Sequence, residues 1–95
     1  MQKIVYTAHL ELRLKIRKIP YGYPTRVCEE PDQTFYDQIE GNHIAIKKLK
    51  YGGKIRNMMI AYEEKDDSIE IITIHPITDE KIINRTLNER WTKHE

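Results

Sequence analysis

Cysteine is almost missing from this sequence: Cys28 is the only one in 95 residues. An intramolecular disulfide is therefore excluded, and zinc ribbons and CxxC redox centres, which need cysteine pairs, go with it. Long apolar runs are missing as well. No stretch approaches the ~20 consecutive apolar residues of a bilayer-spanning helix, and the N-terminus has neither the apolar core nor the small-residue cleavage site of a secretory signal. These absences predict a cytoplasmic chain that does not enter a membrane. Internal repeats, low-complexity runs and linkers are also lacking, so residues 1–95 read as one domain. A domain of this size buries little more than ~60% of its unfolded surface. One thin core fits inside it, an elaborate cavity for a large cofactor does not, and no cofactor is expected.

Net charge is scarce too. The 16 Lys/Arg and 15 Asp/Glu leave a formal +1, which argues against a generic nucleic-acid coat. The charge is distributed in blocks: +4 over residues 1–20, −4 over 21–42, +5 over 43–62, −6 over 63–80 and +2 over 81–95. Such blocks are either solvated faces or parts of a basic surface that the fold assembles from separated segments.

Turn signals divide the rest of the chain. Pro20, Gly22 and Pro24 form one break, followed by Pro31-Asp32, Gly41-Asn42, Gly52-Gly53, Asp66-Asp67-Ser68 and Pro76. Residues 43–51, 54–65 and 69–75, each rich in Ile, Tyr or Met, lie between the later breaks and read as antiparallel strands joined by hairpins. Ile69, Ile71 and Ile72, Ile74 place apolar groups on both faces of the last strand, which predicts a central position. Residues 33–39 are a weaker strand candidate, expected at an edge. Residues 79–91 read as a helix, with Thr78 or Asp79 as N-cap and Ile83, Leu87 and Trp91 recurring every four residues as the stripe packed on the sheet.

At the N-terminus periodicity and composition disagree. Even-numbered apolar residues from Ile4 to Ile16 alternate as in a strand, but from Ala8 onward the residue types are helix formers, Thr7 is a fair N-cap and Pro20 a stop. Residue type takes precedence, giving a strand over 3–6 and a helix over 8–19. On a helical wheel Leu10 and Leu14 form one apolar stripe and Leu12, Ile16 and Ile19 a second, with His9, Arg13 and Arg17 between them and Glu11, Lys15 and Lys18 on the wet side. This places a basic row inside the buried arc. Burying a guanidinium alone costs several kcal/mol, so these arginines are expected either to pair with acids of the sheet or to line an opening toward an anion. Arg13 in particular is expected to be buried and engaged by a carboxylate or carbonyl, its loss costing ~3 kcal/mol or more.

The pattern His9-x3-Arg13-x3-Arg17-x-Ile19, then Pro31-Asp32 before a strand, a hairpin ending in Ile72-Thr73-Ile74, and Ile82 and Arg85 leading to Arg90-Trp91 resembles a small, largely uncharacterised family grouped with the RelE/ParE-like toxins of prokaryotic toxin-antitoxin systems. The likeness spans residues 6 to 91. It implies an α+β fold with one or two N-terminal helices packed on a mainly antiparallel sheet of three to five strands, plus a C-terminal helix. It further implies a superfamily of messenger-RNA endoribonucleases and gyrase poisons, usually silenced by an antitoxin. Two departures stand out: Lys18 where members often have Gly, and the proline-broken residues 21–30 where they have a long second helix. The Lys/Arg/Tyr catalytic set of the ribosome-dependent nucleases has no residue-by-residue counterpart.

The residues themselves support two functional classes. Metal-free RNA cleavage needs a base for the 2′-hydroxyl, an acid for the leaving oxygen and cations for the charged transition state. His9 and His75 suit acid/base work, Arg13 and Arg17 supply phosphate-binding forks, and Lys47, Lys48, Lys50, Lys54 and Arg56, from the acid-free hairpin, together with Arg85 and Arg90 hold the RNA backbone. Tyr51 and Tyr62 are candidates to stack on bases. His9, His43, His75 and His94 show no metal-ligand spacing, and no metal is expected. The other class is a non-enzymatic binding module. It docks an acidic partner peptide, an antitoxin or a second copy through the basic hairpin and C-terminal helix, with the His/Arg row as an internal network. The classes diverge at Arg13 and Arg17: saturation by carboxylates such as Asp37 or Glu63 favours the module, and a groove shared with Lys47 or His75 favours the nuclease.

Overall fold

The computed structural model describes residues 2–93. Nine elements follow in order: β1 (Lys3–Tyr6), α1 (Ala8–Arg17), α2 (Tyr23–Glu29), β2 (Gln33–Asp37), β3 (Asn42–Tyr51), β4 (Lys54–Glu64), β5 (Ser68–Ile77), α3 (Asp79–Leu87) and β6 (Trp91–Lys93). The fold is α+β, with the six strands in one sheet of order β1-β5-β4-β3-β2-β6. The expected three to five strands are exceeded and the sheet is mixed, since β1 pairs with β5 in parallel while every other pairing is antiparallel.

Helix-forming residue types do override the alternating pattern at the N-terminus. Thr7 caps α1 by accepting from the Leu10 amide at 3.2 Å, and its hydroxyl also donates to the Ile71 carbonyl at 3.0 Å, which fixes the helix start to β5. At the other end Lys18 adopts a left-handed conformation (φ 54°, ψ 46°), and the Ile19 amide returns to the Leu14 carbonyl at 3.0 Å. That closure suits glycine best, because a Cβ is strained there. Residues 21–30 hold a short helix, with Pro24 in the first turn of α2 where its missing N–H costs nothing.

The sheet carries a core on each face. Leu10 and Leu14 of α1, Val27 of α2 and Ile19 pack over Ala45, Leu49, Met58, Ile60, Tyr62, Ile71 and Ile74. On the opposite face Ile82 of α3 joins Phe35, Ile44, Ile46, Met59, Ala61, Ile77 and Trp91. β5 lies between β1 and β4, as its two apolar faces predict, and β1 covers only its first half, Ser68 to Ile71. β2 lies between β3 and β6, not at an edge as expected.

The C-terminal helix is shorter than its periodicity predicts. It stops at Leu87, Glu89 takes φ 64°, and Asn88 Oδ1 accepts from the Arg90 amide at 3.0 Å, so the chain turns back. Trp91 then starts β6, stacked 5.4 Å from Phe35. The expected stripe is therefore wrong. Ile83 and Leu87 are 54% and 77% exposed, and Ile82 is the buried residue of the helix. Burying the large indole beside Phe35 outweighs one further helical turn.

A buried carboxylate holds this end of the chain. Asp37, 2% exposed, accepts from the Ile39 and Glu40 amides, from Arg90 Nε and, at 3.1 Å, from Trp91 Nε1, and Arg90 Nη2 lies 3.2 Å from its Oδ2. Burial alone raises its pKa, but the bonds from Glu40, Arg90, Trp91 and Ile39 outweigh burial and hold it below the usual carboxylate value.

Candidate functional site

The basic row of α1 does not lie under the sheet. Leu12 and Ile16 are 54% and 61% exposed, so α1 buries only the Leu10/Leu14 stripe and the row flanks it. His9 is exposed and accepts from Arg13 Nε at 3.3 Å. Arg13 is half-buried, and among the described residues no carboxylate or carbonyl holds it, contrary to expectation. Its partner is a solvated imidazole, so Arg13→Ala costs under ~1 kcal/mol instead of ~3.

Arg17, one turn further on, has a different setting. Its Nη1 donates to the Ile74 carbonyl at 2.7 Å, on the half of β5 that β1 leaves uncovered, while Tyr51 Oη donates to the Arg17 carbonyl at 2.5 Å. His75, the next residue of β5, points to the opposite face of the sheet, and the positive charge of Arg17 acts on it from the strand edge. Since α1 rises ~1.5 Å per residue, His9 and Arg17 are ~12 Å apart along it. The four expected catalytic residues thus form two groups, His9 with Arg13 and Arg17 with His75.

His75 sits on the α3 face, opposite Met59. Its Nδ1 lies 2.9 Å from the Pro76 carbonyl. A carbonyl only accepts, so Nδ1 carries the proton and Nε2 is left with its lone pair. Burial lowers the pKa of this half-buried ring; the Pro76 bond opposes that, but the positive charges of Arg17, Arg85 and Lys81 reinforce it, and the net shift is downward. The result is a neutral imidazole at neutral pH, with a fixed tautomer, amid three cations. That is the charge pattern for receiving an anion next to a base.

The charges of Arg85 and Lys81 act on His75 from α3. They are four residues apart and so share one side of the helix. Arg85 also lies over the Trp91 ring, 5.0 Å from its centroid, which holds it in position. Lys81 was not singled out from sequence, although its four-residue spacing to Arg85 is the signal that finds it. Arg90 is committed to Asp37.

The hairpin lysines do not form one patch, because strand alternation splits them. Lys47 faces the α1/α2 side, 3.7 Å from Asp32 Oδ1. Lys48 and Lys50 face the α3 side. Arg56 Nε donates to the Tyr51 carbonyl at 3.0 Å. A groove of about 500 Å³ runs between the end of this hairpin and the start of α3, lined by Lys48, Lys54, Arg56, Asn57, Asp79 and Lys81 together with Ile55 and Ile77. Asn57 Nδ2 donates to Asp79 Oδ1 at 2.7 Å within it.

The two tyrosines are taken up by packing. Tyr51 bonds the end of α1, and Tyr62 is buried with its ring 5.2 Å from that of His43. Among the described residues no three His, Cys, Asp or Glu side chains converge as metal ligands. His94 lies outside the described residues. No helix among them is long and apolar enough to cross a membrane. Comparison with protein-family models, curated proteins and solved structures finds no match to this chain.

Proposed function

We propose that the protein is a cytoplasmic, metal-independent RNA endonuclease, the toxin component of a prokaryotic toxin-antitoxin pair, with His75 as its base. The observation that carries this reading is the bond of His75 Nδ1 to the Pro76 carbonyl, which leaves Nε2 its lone pair on a ring that also feels the charges of Arg17, Arg85 and Lys81. In this reading Nε2 takes the proton of a 2′-hydroxyl, the resulting oxygen attacks the adjacent phosphorus, and the bond to the 5′-oxygen breaks. Arg17 and Arg85 stabilise the added negative charge, and Lys81 supplies the ammonium that returns a proton to the leaving oxygen. The toxin assignment rests on the sequence resemblance, and the chemistry rests on this cluster. Arg17 meets no carboxylate among the described residues, so the pairing expected of an internal network is absent, while the groove described above is lined by neither Arg17 nor His75.

The test is incubation of purified protein with RNA, alone and on translating ribosomes, in excess EDTA. We expect products ending in 2′,3′-cyclic phosphate, His75→Ala slower by ~10²-fold or more, Arg17→Ala slower by up to ~10² to 10³-fold, and His9→Ala close to the parent. Cleavage abolished by EDTA refutes the mechanism, and cleavage unchanged in His75→Ala refutes the assignment of the base.

A second reading, a protein-binding module, is favoured by the exposed apolar pair Ile83 and Leu87 on α3, at 54% and 77%. The partner is an antitoxin or a second copy of the chain. RNA left intact in both settings, with a complex lost on Leu87→Asp, makes this the better account.

A further inference from the structure

The groove between the β3–β4 hairpin and α3 is lined, Lys81 apart, by residues that the chemistry at His75 does not use. It is about 500 Å³ in volume, the size of a site for one small organic ligand, and Lys48, Lys54, Arg56 and Lys81 line it against a single acid, Asp79. Arg56 is turned to the Tyr51 carbonyl, but Lys48 on the α3 face of β3, Lys54 at the exposed hairpin end and Lys81 on α3 leave the groove cationic, which selects an anion. Ile55, 64% exposed, and Ile77 supply an apolar surface beside them, which a bare phosphate has no use for and the flat face of a base does. Asp79 adds a third element. One of its oxygens is held by Asn57 Nδ2 at 2.7 Å, which leaves Oδ2 as an acceptor inside an otherwise cationic groove. A carboxylate there weakens phosphate binding unless the ligand brings a hydrogen-bond donor to meet it, and the exocyclic amine of adenine, cytosine or guanine is such a donor.

The groove is also next to the proposed centre. His75 and Ile77 point to the same face of β5, opposite Met59 and Asn57 respectively, so they are ~6.6 Å apart along the strand. Lys81 belongs to both places. We infer that this groove is a nucleotide subsite: it binds one phosphate-bearing nucleotide whose base carries an exocyclic amine, and so seats the residue adjoining the bond presented to His75. The subsite's place in a cleavage reaction rests on the nuclease reading; its ability to bind a nucleotide does not.

Titration with nucleotides tests the two separately. We expect CMP to shift the amide and side-chain NMR signals of Asn57, Thr78 and Asp79 with saturation, and to bind at least fivefold more tightly than UMP, cytidine or inorganic phosphate. The double variant Lys48→Gln/Lys54→Gln should weaken CMP at least tenfold while melting within a degree or two of the parent. Inorganic phosphate binding as well as CMP, UMP equal to CMP, or a double variant that binds like the parent overturns the subsite. Nucleotide binding with this pattern in a protein that leaves RNA uncut upholds the subsite and removes the nuclease reading.

Discussion

Replacing Asp37 by Ala should be among the most damaging single changes in this chain, and the structure sets its size. The carboxylate is 2% exposed and receives two backbone amides, the Arg90 guanidinium and the Trp91 indole. Its removal leaves the indole N–H buried without an acceptor and strands the guanidinium of Arg90. Breaking a buried ion pair from one side costs about 3–5 kcal/mol. Because the Arg90 side chain keeps 28% exposure, water recovers part of its solvation, and we expect ~3 kcal/mol. For a chain of this length that lowers the melting temperature by roughly 12–24 °C. The readout is built in, since Trp91 is the only tryptophan and sits in β6: its emission should shift to the red as β6 leaves Phe35. The carboxylate also links this end of the chain to pH. Its folded pKa is depressed, so its stabilisation is fully present above the unfolded value near ~3.9 and is lost as pH falls through the folded value. Asp37→Asn should remove that part of the acid limb of the stability curve. A variant Asp37→Ala that unfolds within ~1 kcal/mol of the parent, with unshifted tryptophan emission, refutes the reasoning.

Three further outcomes follow from the same geometry. Lys18→Gly should stabilise the fold by ~1 kcal/mol in urea denaturation, because the residue occupies a left-handed conformation that strains a Cβ; destabilisation refutes the C-cap. Leu10→Ala should cost ~2–5 kcal/mol and Leu12→Ala under ~0.5, since the first is fully buried and the second 54% exposed; equal costs mean that α1 packs both stripes. If His75 is the base, the acid limb of the cleavage rate should lie below the ordinary histidine value, because the ring stays neutral to lower pH, and a limb above ~6.5 removes His75 from that role.

The elements that were legible in the sequence are those fixed by local chemistry. Thr7 and the helix-forming residues after it outweigh a seven-member alternation because a cap and residue types act within one turn, whereas alternation needs a neighbouring strand to give it value. The hairpins follow from Gly41-Asn42 and Gly52-Gly53, whose glycines all take positive φ. The misreadings all involve a partner distant in sequence. Trp91 fitted a helical spacing, but its position is decided by Phe35 and Asp37, more than fifty residues away. Leu12 and Ile16 fitted a second buried stripe, but α1 lies over the uncovered half of one strand, β5, which offers a surface for only one. That same placement creates the candidate site. A helix seated flush on the sheet would have buried Arg17 under it. A helix resting along the open edge of β5 instead puts the guanidinium on the Ile74 carbonyl, next to the face that carries His75. The sequence offers Arg17 and His75 as candidates by residue type, but it could not bring them near each other and separate both from His9, because the junction depends on β1 ending its ladder at Ile71. An edge left open for half a strand is a liability in a sheet, and here the group that blocks it is also a cation whose charge acts on the histidine of the other face.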